Sequence, residues 1–338
     1  MDRRKFIYAT TLPPLLGAGT GMRLPTRFQG QGQRWRKLKL IFPCAEEGGW
    51  DRCPSAPHIV QAGDRLRMYY MSIEGQRRRI GLAEADISDP LSWRKVSNQP
   101  LLDFGPPGSI DSHWVSYPWV VPVTGKHWHM YYCGWGGDYH SFGRFKAYRT
   151  TLAESDDAGL TWKRSGRSLL ELGRPFSCDE HGTGSCAVLK VGSQYWMWYT
   201  AVVRWPETNS KISIALAVSN DGGHTFRPHP AGALINIPPR IDSYLSTCSK
   251  PFVEKTGSGF RMWFSVVKDH RRLYRIHYAE SPDGIRWKWW PDPVLEVSES
   301  GWDSEMTCYP CIWRSAEHTY LFYDGNRFAG IGVAELVG

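Results

Sequence analysis

The chain has 338 residues, of which 41% are hydrophobic, and it carries a formal net charge of +8 at pH 7. This length allows two domains and a large hydrophobic core. The positive charge serves solubility or attracts an anionic ligand such as a uronic or sialic acid. Because no nucleic-acid recognition module accompanies the charge, nucleic acid is not an expected partner.

The first 36 residues predict an export signal followed by a linker. Arg3 and Arg4 precede Lys5-Phe6-Ile7 and a modestly apolar stretch. This pattern is typical of a twin-arginine signal, and the alternative is an ordinary basic tail. The stretch is too short and too polar for a transmembrane helix. We therefore expect a protein that is exported to the periplasm or the cell exterior and has no membrane span.

From residue 37 onward, one unit of sequence recurs five times. Each copy centres on an aromatic second strand, with an apolar third strand after it. The second strands are DRLRMYYMS (64–72), KHWHMYYCG (126–134), SQYWMWYTA (193–201), SGFRMWFSV (258–266) and EHTYLFYDG (317–325). Four strands per unit at a long period are typical of a β-propeller. Residues 37–338 are therefore predicted to form one all-β domain, a five-bladed β-propeller with four-stranded antiparallel blades.

Closure of this ring is expected to involve the N-terminus. The segments PLLDF, SLLEL, ALINI and PVLEV predict fourth strands in four copies, and the fifth copy has no such segment before Gly338. KLKLIFP (Lys37–Pro43) has the same character. We expect residues 38–42 to supply the missing strand, with Leu38, Leu40 and Phe42 buried, because closure removes exposed sheet edges.

The turns after the third strands carry a recognisable motif. SDDAGLTW (155–162) and SNDGGHTF (219–226) fit S-x-D-x-G-x-T-[WF], the Asp-box of sialidase-type propellers, and SPDGIRW (281–287) is a shortened form. The aspartate is expected to bond its own turn's N–H groups while glycine takes the positive φ. The motif indicates the fold and says almost nothing about function.

Metal and disulfide sites are only weakly indicated by the sequence. Cys44 and Cys53 could pair in an exported protein, but the sequence does not decide this among eight cysteines. His127 and His129 alternate on a strand and share one face. No third ligand is evident, so a structural role is expected for both, and neither a metal nor a cofactor is predicted.

Acidic residues precede the second strand of every copy. In a propeller the innermost strands converge on one axis, so residues that lead into them are expected to line a common mouth. The set comprises Asp51, Asp111, Asp179, Asp242 and Asp303, with Glu180, Glu305, His113 and His181 beside them. Crowded carboxyl groups push each other's pKa values apart, which provides the acid and base that glycoside hydrolysis needs. The alternative for any single aspartate is a structural turn or cap.

Two further residue sets fit a glycan-binding mouth. Aromatic side chains there are expected to stack on sugar faces, and they are Trp50, Trp114, Tyr117, Trp302 and Tyr309. Arginines cluster at residues 77–79 and 271–272, between second and third strands. These clusters serve solubility or attract an anionic sugar.

These motifs together resemble a known group of propellers. Trp50-Asp51 precedes RMYY, Asp111 precedes YP and MYY, and WDSEM (302–306) precedes YP and LFYDGN. The pattern resembles the five-bladed furanosidase superfamily, which contains glycoside hydrolase families 32, 43, 62 and 68, and it is most similar to poorly characterised bacterial members. The resemblance covers about residues 38–338 and implies the fold more strongly than the activity.

The resemblance implies three carboxyl roles. A base or nucleophile Asp matches Asp51, and a second, tuning Asp matches Asp179 or Asp111. The family's acid lies in the first strand of a central blade, where this chain reads CSKPF (248–252) and has no Glu. Glu180 and Glu305 are the available substitutes. The absence of an N-D-P-N-G opening argues against cleavage of sucrose or fructan.

We therefore assign Asp51 as base, Asp179 as tuning residue, Glu180 as general acid and Glu305 as reserve acid. The predicted substrate-binding residues are Trp50, Asp111, His113, His181, Asp242, Trp302 and Asp303. The predicted function is a glycoside hydrolase-like enzyme that acts on a glycan or glycoconjugate. The alternatives are a non-hydrolytic enzyme on the same scaffold, such as a lyase, phosphorylase or tailoring enzyme, and a carbohydrate-binding propeller without turnover. Carboxylates wholly engaged by Arg or Lys would favour binding alone.

Overall fold

The computed structural model describes residues 32–46, 49–136, 148–203, 211–235, 237, 246–267 and 273–338. Within these ranges, regular structure consists of twenty β-strands and a short 3-10 helix (Asn326–Phe328). The prediction of an all-β chain is confirmed. Residues 1–31, Asp242, Arg271 and Arg272 lie outside the described residues, so the export signal and the roles given to these side chains stay predictions.

The strands form units of four. Unit 1 contains β2 (Cys53–Ala62), β3 (Arg65–Glu74), β4 (Arg77–Asp86) and β5 (Arg94–Lys95). Unit 2 contains β6 (Trp114–Thr124), β7 (His127–Trp135), β8 (Arg149–Ser155) and β9 (Lys163–Ser168). Unit 3 contains β10 (Gly182–Val191), β11 (Gln194–Val202), β12 (Lys211–Ser219) and β13 (Arg227–Ile235). Unit 4 contains β14 (Ser246–Thr256), β15 (Gly259–Val267), β16 (Tyr274–Ser281) and β17 (Lys288–Trp289). Unit 5 contains β18 (Cys308–Arg314), β19 (Thr319–Asp324), β20 (Gly330–Leu336) and, from the other end of the chain, β1 (Trp35–Pro43).

Hydrogen bonding within each unit follows an antiparallel meander from the first strand to the fourth. Unit 5 is a separate four-stranded sheet. Units 1 and 2 form one eight-stranded sheet, and units 3 and 4 form another. The joins are short parallel contacts, one residue pair between β4 and β6 and two pairs between β12 and β14. Each large sheet is thus two meanders joined at a corner.

The N-terminal strand completes the last unit, as predicted. β1 pairs with β20 from Trp35 opposite Leu336 to Pro43 opposite Gly330. The expected burial pattern is only partly right, because Phe42 is buried whereas Leu38 is 36% exposed and Leu40 is half-buried. Two register shifts interrupt the ladder, between Lys37 and Lys39 and between Leu40 and Phe42. Each shift changes which residues face the core, because side chains alternate along a strand.

The aromatic second strands form the centre of the packing. Met68, Tyr69 and Tyr70 are fully buried in β3, and the matching residues of the other units are buried as well. A strand in the interior of a sheet that is covered on both faces reads as a continuous apolar run rather than an alternating one. That property is what made the repeat visible in the sequence.

The fourth strands lie further upstream than predicted in units 1, 2 and 4. In unit 2, β9 shares only Ser168 with the predicted segment SLLEL. β5 and β17 have two residues each, and PLLDF and PVLEV contribute only isolated bridges, from Leu102 to Ile80 and from Leu295 to Ile276. Pro100 and Pro293 are the first residues of these two segments. Proline has no N–H to donate to a ladder, which shortens strand pairing at these places.

The turns after the third strands are held by their aspartates. Asp157 accepts hydrogen bonds from the backbone N–H groups of Leu160 at 3.0 Å and Thr161 at 2.9 Å. Asp221 accepts corresponding bonds from His224 and Thr225 at 3.1 and 3.0 Å. Gly159 has a φ of +89°, which L side chains rarely adopt. These turns carry the chain from the third strand towards the fourth.

A disulfide joins Cys44 to Cys53 and so links the end of β1 to the start of β2. The other six cysteines are free, and all of them except Cys178 are buried. Disulfides persist mainly in oxidising compartments, so this bridge accords with the predicted export.

Candidate functional site

Four of the predicted site aspartates share one arrangement. Asp51, Asp111, Asp179 and Asp303 each precede the first strand of a unit, and each accepts a hydrogen bond from a tyrosine on that unit's second strand. The donors are Tyr70 at 2.9 Å, Tyr132 at 2.7 Å, Tyr199 at 2.7 Å and Tyr323 at 2.8 Å. Burial first, and then the adjoining carboxylate, raises the pKa of each tyrosine, so the hydroxyl group keeps its proton and donates.

Three of these aspartates also bind a cation from the fourth strand. Lys95 lies 2.6 Å from Asp51, Arg164 lies 3.0 Å from Asp111, and Lys37 lies 2.7 Å from Asp303. The three cations occupy one register position, opposite Ala83, Ala153 and Ala334 of the third strands. Each ion pair therefore ties the segment before a first strand to the outermost strand of the same unit.

Units 3 and 4 vary this arrangement. Pro228 stands opposite Ala217 at the cation position of unit 3, so Asp179 has no cation from that position. Asp179 accepts from the Ser177 hydroxyl at 2.8 Å, as Asp111 does from Ser109. Unit 4 has Phe264 where the others have tyrosine, and its Asp242 lies outside the described residues. Among the described residues, the hydrogen bonds and ion pairs of these aspartates stay within their own units and join no aspartate to another. The expected convergence on one mouth is not seen in these contacts.

Two of the three predicted tryptophans, Trp50 and Trp302, pack on their own sheets. The Trp50 indole N–H donates to the Asn98 carbonyl at 2.7 Å, and the ring lies over Gly81, where a Cβ atom would come within 2.8 Å of it. Trp302 stacks near Tyr323, with ring centroids 5.2 Å apart, and covers Gly332. In these positions, both indole rings cover the tyrosine–aspartate pairs of their own units.

The remaining predicted residues lie in loops before the first strands. Glu180 lies before β10, as its assignment required, but its Oε2 accepts a hydrogen bond from the Phe176 N–H at 2.9 Å. His181 is exposed there. Glu305 is exposed, and its side chain has no hydrogen bond or ion pair among the described residues. The N–H groups of Glu305 and Met306 both donate to the Asn326 side-chain oxygen, at 2.6 and 3.0 Å, which fixes the backbone at this point.

A second repeated feature brings first strands from different units together. Every first strand has a register shift at the matched place, and in four units the residue there has positive φ and precedes a proline. These residues are Ala56, Tyr117, Lys250 and Tyr309, with φ values of 50°, 53°, 50° and 53°. Positive φ is uncommon outside glycine and concentrates at functional sites. We call the end of the units at which first strands begin the mouth.

The side chains of these bulged residues meet across units. The hydroxyl groups of Tyr117 and Tyr309 lie 3.2 Å apart, and the rings make an edge contact at 5.5 Å. Both belong to an apolar group that we call the mouth cluster. It consists of Ala56, Met71, Leu273, Met306, Cys308 and Tyr309, with Ile73, Tyr117, Tyr274 and Phe328 packed against it. Glu305 directly precedes a member of this cluster and so lies at its rim.

A buried lysine and a buried aspartate accompany the bulges. The Lys250 ammonium group is buried and has no hydrogen-bond partner among the described residues. Asp324, at the end of β19, accepts from the Ser55 hydroxyl and from the Ala56 N–H at 3.0 Å. Burial raises the pKa of Asp324 to about 8, although these hydrogen bonds and Lys250 oppose the rise, and burial lowers the pKa of Lys250. Burial and then Lys250 lower the pKa of the adjoining His58 to about 3.

Substituting Asp324 by Asn should change how stability depends on pH. The folded pKa of about 8 lies above the ordinary value of 3.8, so between these limits the folded chain binds the extra proton. The free energy of unfolding then falls as pH rises through this window, by about 1.4 kcal/mol per pH unit at most. Asp324→Asn removes this dependence and keeps the shape. Its stability relative to the wild type should therefore increase between about pH 5 and about pH 8, as measured by urea unfolding.

Lys250, with its lowered folded pKa, contributes a slope of the opposite sign and is present in both proteins. Because the two groups interact, the comparison reports Asp324 together with the change that its replacement causes at Lys250. A difference in unfolding free energy that stays constant across the pH range would show that Asp324 is already ionised in the folded state.

An arginine-rich cavity opens where the turn between β3 and β4 meets the start of β6. It has a volume of about 610 Å³ and is lined by Gln76, Arg77, Arg79, Phe104, Ser112, His113, Trp114 and Trp135. The guanidinium group of Arg79 lies over the Phe104 ring at 4.4 Å, and that of Arg78 lies over Trp114 at 4.2 Å. We call this cavity the arginine pocket. Of the predicted residues, it contains His113, two arginines of the first cluster and Trp114.

The bulged residues were largely missed by the sequence analysis. Tyr117 and Tyr309 were predicted at the mouth. The segment that contains Lys250 was noted only because it lacks the Glu expected for a general acid, and Asp324 was not singled out. A usable signal was present in the repeated residue–proline pairs of SAP, SYP, SKP and CYP at 55–57, 116–118, 249–251 and 308–310. Because proline cannot donate to a ladder, such pairs within a buried strand indicate a bulge.

Comparisons with known proteins place this fold among carbohydrate-active enzymes. A solved structure described as a glycoside hydrolase has a TM-score of 0.72 at 17% identity, covering 90% of this chain and 93% of that one. A structure described as a complex of BT0996 with RGII has a TM-score of 0.70 at 16% identity, covering 89% and 92%. A third solved structure comes from the GH130 family of mannoside phosphorylases. That family is described as containing glycoside hydrolases that target β-1,2 mannosidic linkages in Candida mannan. The structure has a TM-score of 0.64 at 13% identity, covering 90% of this chain and 93% of that one. At these identities the likeness concerns the fold.

Sequence comparison adds a relative without a stated activity. The uncharacterised protein Rv1502 of Mycobacterium tuberculosis is 28% identical over 323 residues, which cover 89% of this chain and 99% of that protein. No family model matches the chain. Within the described ranges, the chain contains no helix of sufficient length and apolarity to span a membrane.

Proposed function

We propose that this chain is a five-bladed β-propeller and a carbohydrate-active enzyme that cleaves a glycosidic bond in an anionic glycan. Five antiparallel meanders, the last completed by β1, support five blades. A narrower form of this proposal is that the chain belongs to the furanosidase superfamily, which its sequence resembles. The observation that carries the proposal is the arginine pocket at the mouth, on a fold shared with glycoside hydrolases.

The arginine pocket suits an acidic sugar. Its volume lies in the range of small-ligand sites, and aromatic rings provide apolar faces for a pyranose or furanose ring. Arg79 is already paired with Glu74 and Asp103, both at about 2.8–2.9 Å. Arg77 lies 6.0 Å from the Phe104 ring and has no ion pair among the described residues. A guanidinium group binds a carboxylate in a forked, charge-assisted geometry, so Arg77 is the proposed anion contact.

The chemistry is assigned to carboxyl groups that remain available. Asp179 Oδ1 and one oxygen of Glu180 are engaged within their own loop, and Asp179 Oδ2 accepts from Tyr199 of β11. Glu305 is exposed at the rim of the mouth cluster, so we propose it as the general acid in place of Glu180. Asp51 stays the proposed base, because its Oδ1 accepts no hydrogen bond from the described residues.

Binding without turnover is the second candidate function. It is favoured by the pairing of Asp51, Asp111 and Asp303 with Lys95, Arg164 and Lys37. A carboxylate that is neutralised in this way is a poor base. The two candidates share the arginine pocket and differ in whether a glycan is cleaved.

A glycan panel tests both candidates. The purified chain is incubated with neutral, uronic-acid and sialic-acid glycans, products are measured by mass spectrometry, and binding is measured by calorimetry. Arg77→Ala should weaken binding of an acidic glycan by about 10–100-fold, the scale of a lost charged hydrogen bond, and leave neutral glycans unaffected. Arg94→Ala, an exposed arginine on the same unit, is the control.

The outcomes of this screen separate the candidates. Binding with products supports cleavage, and binding without products supports the second candidate. Equal affinity of Arg77→Ala and wild type for acidic glycans would remove the arginine pocket from the proposal. Failure to bind or cleave any glycan in the panel would count against both candidates.

A further inference from the structure

Three histidines and a glutamate meet where unit 2 packs against unit 3. His127 and His129 lie on β7, Glu154 lies on β8, and His224 lies in the turn after β12. His129 is buried, and the other three side chains are about one-third exposed, at 35%, 35% and 36%. The group lies at the ends of β7 and β8 opposite to the mouth. It therefore has no part in the proposed glycan site.

The Nε2 atoms of His127 and His129 and the Glu154 carboxylate converge on one point, and His224 approaches the same carboxylate. The Nε2 atoms of His127 and His129 are 3.2 Å apart. The Glu154 Oε1 lies 3.5 Å from His129 Nε2 and 3.7 Å from His127 Nε2. The same oxygen lies 3.2 Å from His224 Nε2. A tetrahedral ion with bonds of about 2.0–2.1 Å holds its ligand atoms roughly 3.3–3.4 Å apart. The ligand atoms of His127, His129 and Glu154 approach this arrangement as they stand, and the His224 ring, 3.2 Å from the Glu154 oxygen, must turn to complete it.

The other ring nitrogen of each histidine already has a partner. His127 Nδ1 lies 2.8 Å from Asp156, His224 Nδ1 lies 2.9 Å from the Asp221 carbonyl, and His129 Nδ1 lies 3.2 Å from the Tyr131 hydroxyl. Histidines that bind metals have this second contact, which places the proton on Nδ1 and the lone pair on Nε2. The Asp156 carboxylate and the Asp221 carbonyl can only accept, so they place the proton of His127 and His224 on Nδ1 and the lone pair on Nε2. The Tyr131 hydroxyl can donate or accept and is compatible with the same tautomer of His129.

This geometry brings lone pairs and a carboxylate close together, and a bound cation would remove the resulting repulsion. If every Nδ1 carries the proton, the Nε2 lone pairs of His127 and His129 face each other at 3.2 Å, beside a carboxylate. Facing lone pairs repel, and a bound cation converts this repulsion into coordination. Three imidazoles and one carboxylate suit zinc or a similar transition metal and not calcium or magnesium, which prefer oxygen ligands.

We propose that His127, His129, His224 and Glu154 form a structural zinc site that fastens unit 2 to unit 3. Four protein ligands close a tetrahedral shell, which is the arrangement of structural sites rather than catalytic ones. His224 supplies the only ligand from unit 3 in this set, so metal binding adds a link between two units that packing and hydrogen bonds, such as Thr150 N–H to Thr183 Oγ1, already join.

The test uses the untagged, full-length protein after removal of metals with a chelator. Titration with Zn²⁺, followed by calorimetry, should give one ion per chain, and Co²⁺ in its place should give the visible absorption of a tetrahedral site. Zinc should raise the melting temperature, because it binds the folded state preferentially. Glu154→Gln and His224→Ala should each weaken zinc binding by at least about 100-fold, beyond the range seen for loss of outer partners.

His229→Ala is the matched control, because this histidine lies on β13 of unit 3 outside the group. Both ligands chosen for substitution are partly exposed, and circular dichroism of the metal-free variants checks that they fold. The proposal is overturned if the wild type binds no zinc at micromolar concentration. It is equally overturned if His224→Ala and Glu154→Gln, correctly folded, bind zinc as the control does.

Discussion

Removal of residues 1–43 should unfold the protein, whereas removal of residues 1–31 should leave its stability unchanged. The longer deletion removes β1, which pairs with β20 along its length and contributes Lys37 to Asp303. It also removes Phe42, which is buried with its ring 5.9 Å from that of Tyr70. Full burial of a phenylalanine is worth about 1.5–3 kcal/mol, and a domain has only about 5–15 kcal/mol in total. Melting curves of the two truncated proteins measure the effect.

Point substitutions in β1 provide a finer control. Phe42→Ala should cost about 3–5 kcal/mol, the usual range for loss of a buried aromatic ring. Leu38→Ala should stay within about 0.5 kcal/mol, because surface substitutions have small effects. Leu38 is 36% exposed and lies on the same strand. Equal melting temperatures for the two truncations would mean that β1 is dispensable and that unit 5 is stable with three strands.

Once a cleaved glycan is known, Glu305→Gln should lower kcat by about 10²–10⁴, the scale of a general acid. Glutamine keeps the shape and hydrogen-bonding capacity of the side chain but cannot donate the proton. The loss should be smaller for substrates with good leaving groups, because these need little protonation. Asp51→Asn should cause a loss of similar size that does not depend on the leaving group. Steady-state kinetics with two aryl glycosides of different leaving-group pKa measures both effects.

Two variants serve as controls for this assignment. Glu317→Gln changes an exposed glutamate of the same unit and should keep full turnover. Asp179→Asn should lower the melting temperature more than kcat, because both of its oxygens bond to Tyr199 and Ser177. Near-full turnover by Glu305→Gln would remove this residue from the mechanism. Loss of turnover in Glu180→Gln alone would restore the assignment made from the sequence.

The repeat and the role of the N-terminus were readable from the sequence because they depend on neighbouring residues. A buried strand is a continuous run such as RMYY, and a turn requires Asp and Gly at set positions, so each unit can be recognised locally. The missing fourth strand pointed to Lys37–Pro43 because one copy was incomplete. Which residues of that strand are buried was not readable, since two register shifts change the face that Leu38 presents.

The grouping of chemical side chains depends on contacts between distant parts of the chain, and only the tertiary structure decided it. The regular spacing of the aspartates suggested a shared mouth, and the structure adds that Tyr70, Tyr132 and Tyr323 hold three of them within their own units. Their cations come from fourth strands, in one case from the opposite end of the chain.

The histidine group shows the same limit. His127 and His129 were visible as a pair on one strand face, but Glu154 and His224 join them only because β8 pairs with β7 and unit 3 packs beside unit 2. Side-chain alternation along a strand depends only on neighbouring residues, so it can be read directly from the sequence. The position of one unit's turn against the next unit's strand depends on the packing of whole sheets, and no short stretch of sequence encodes it.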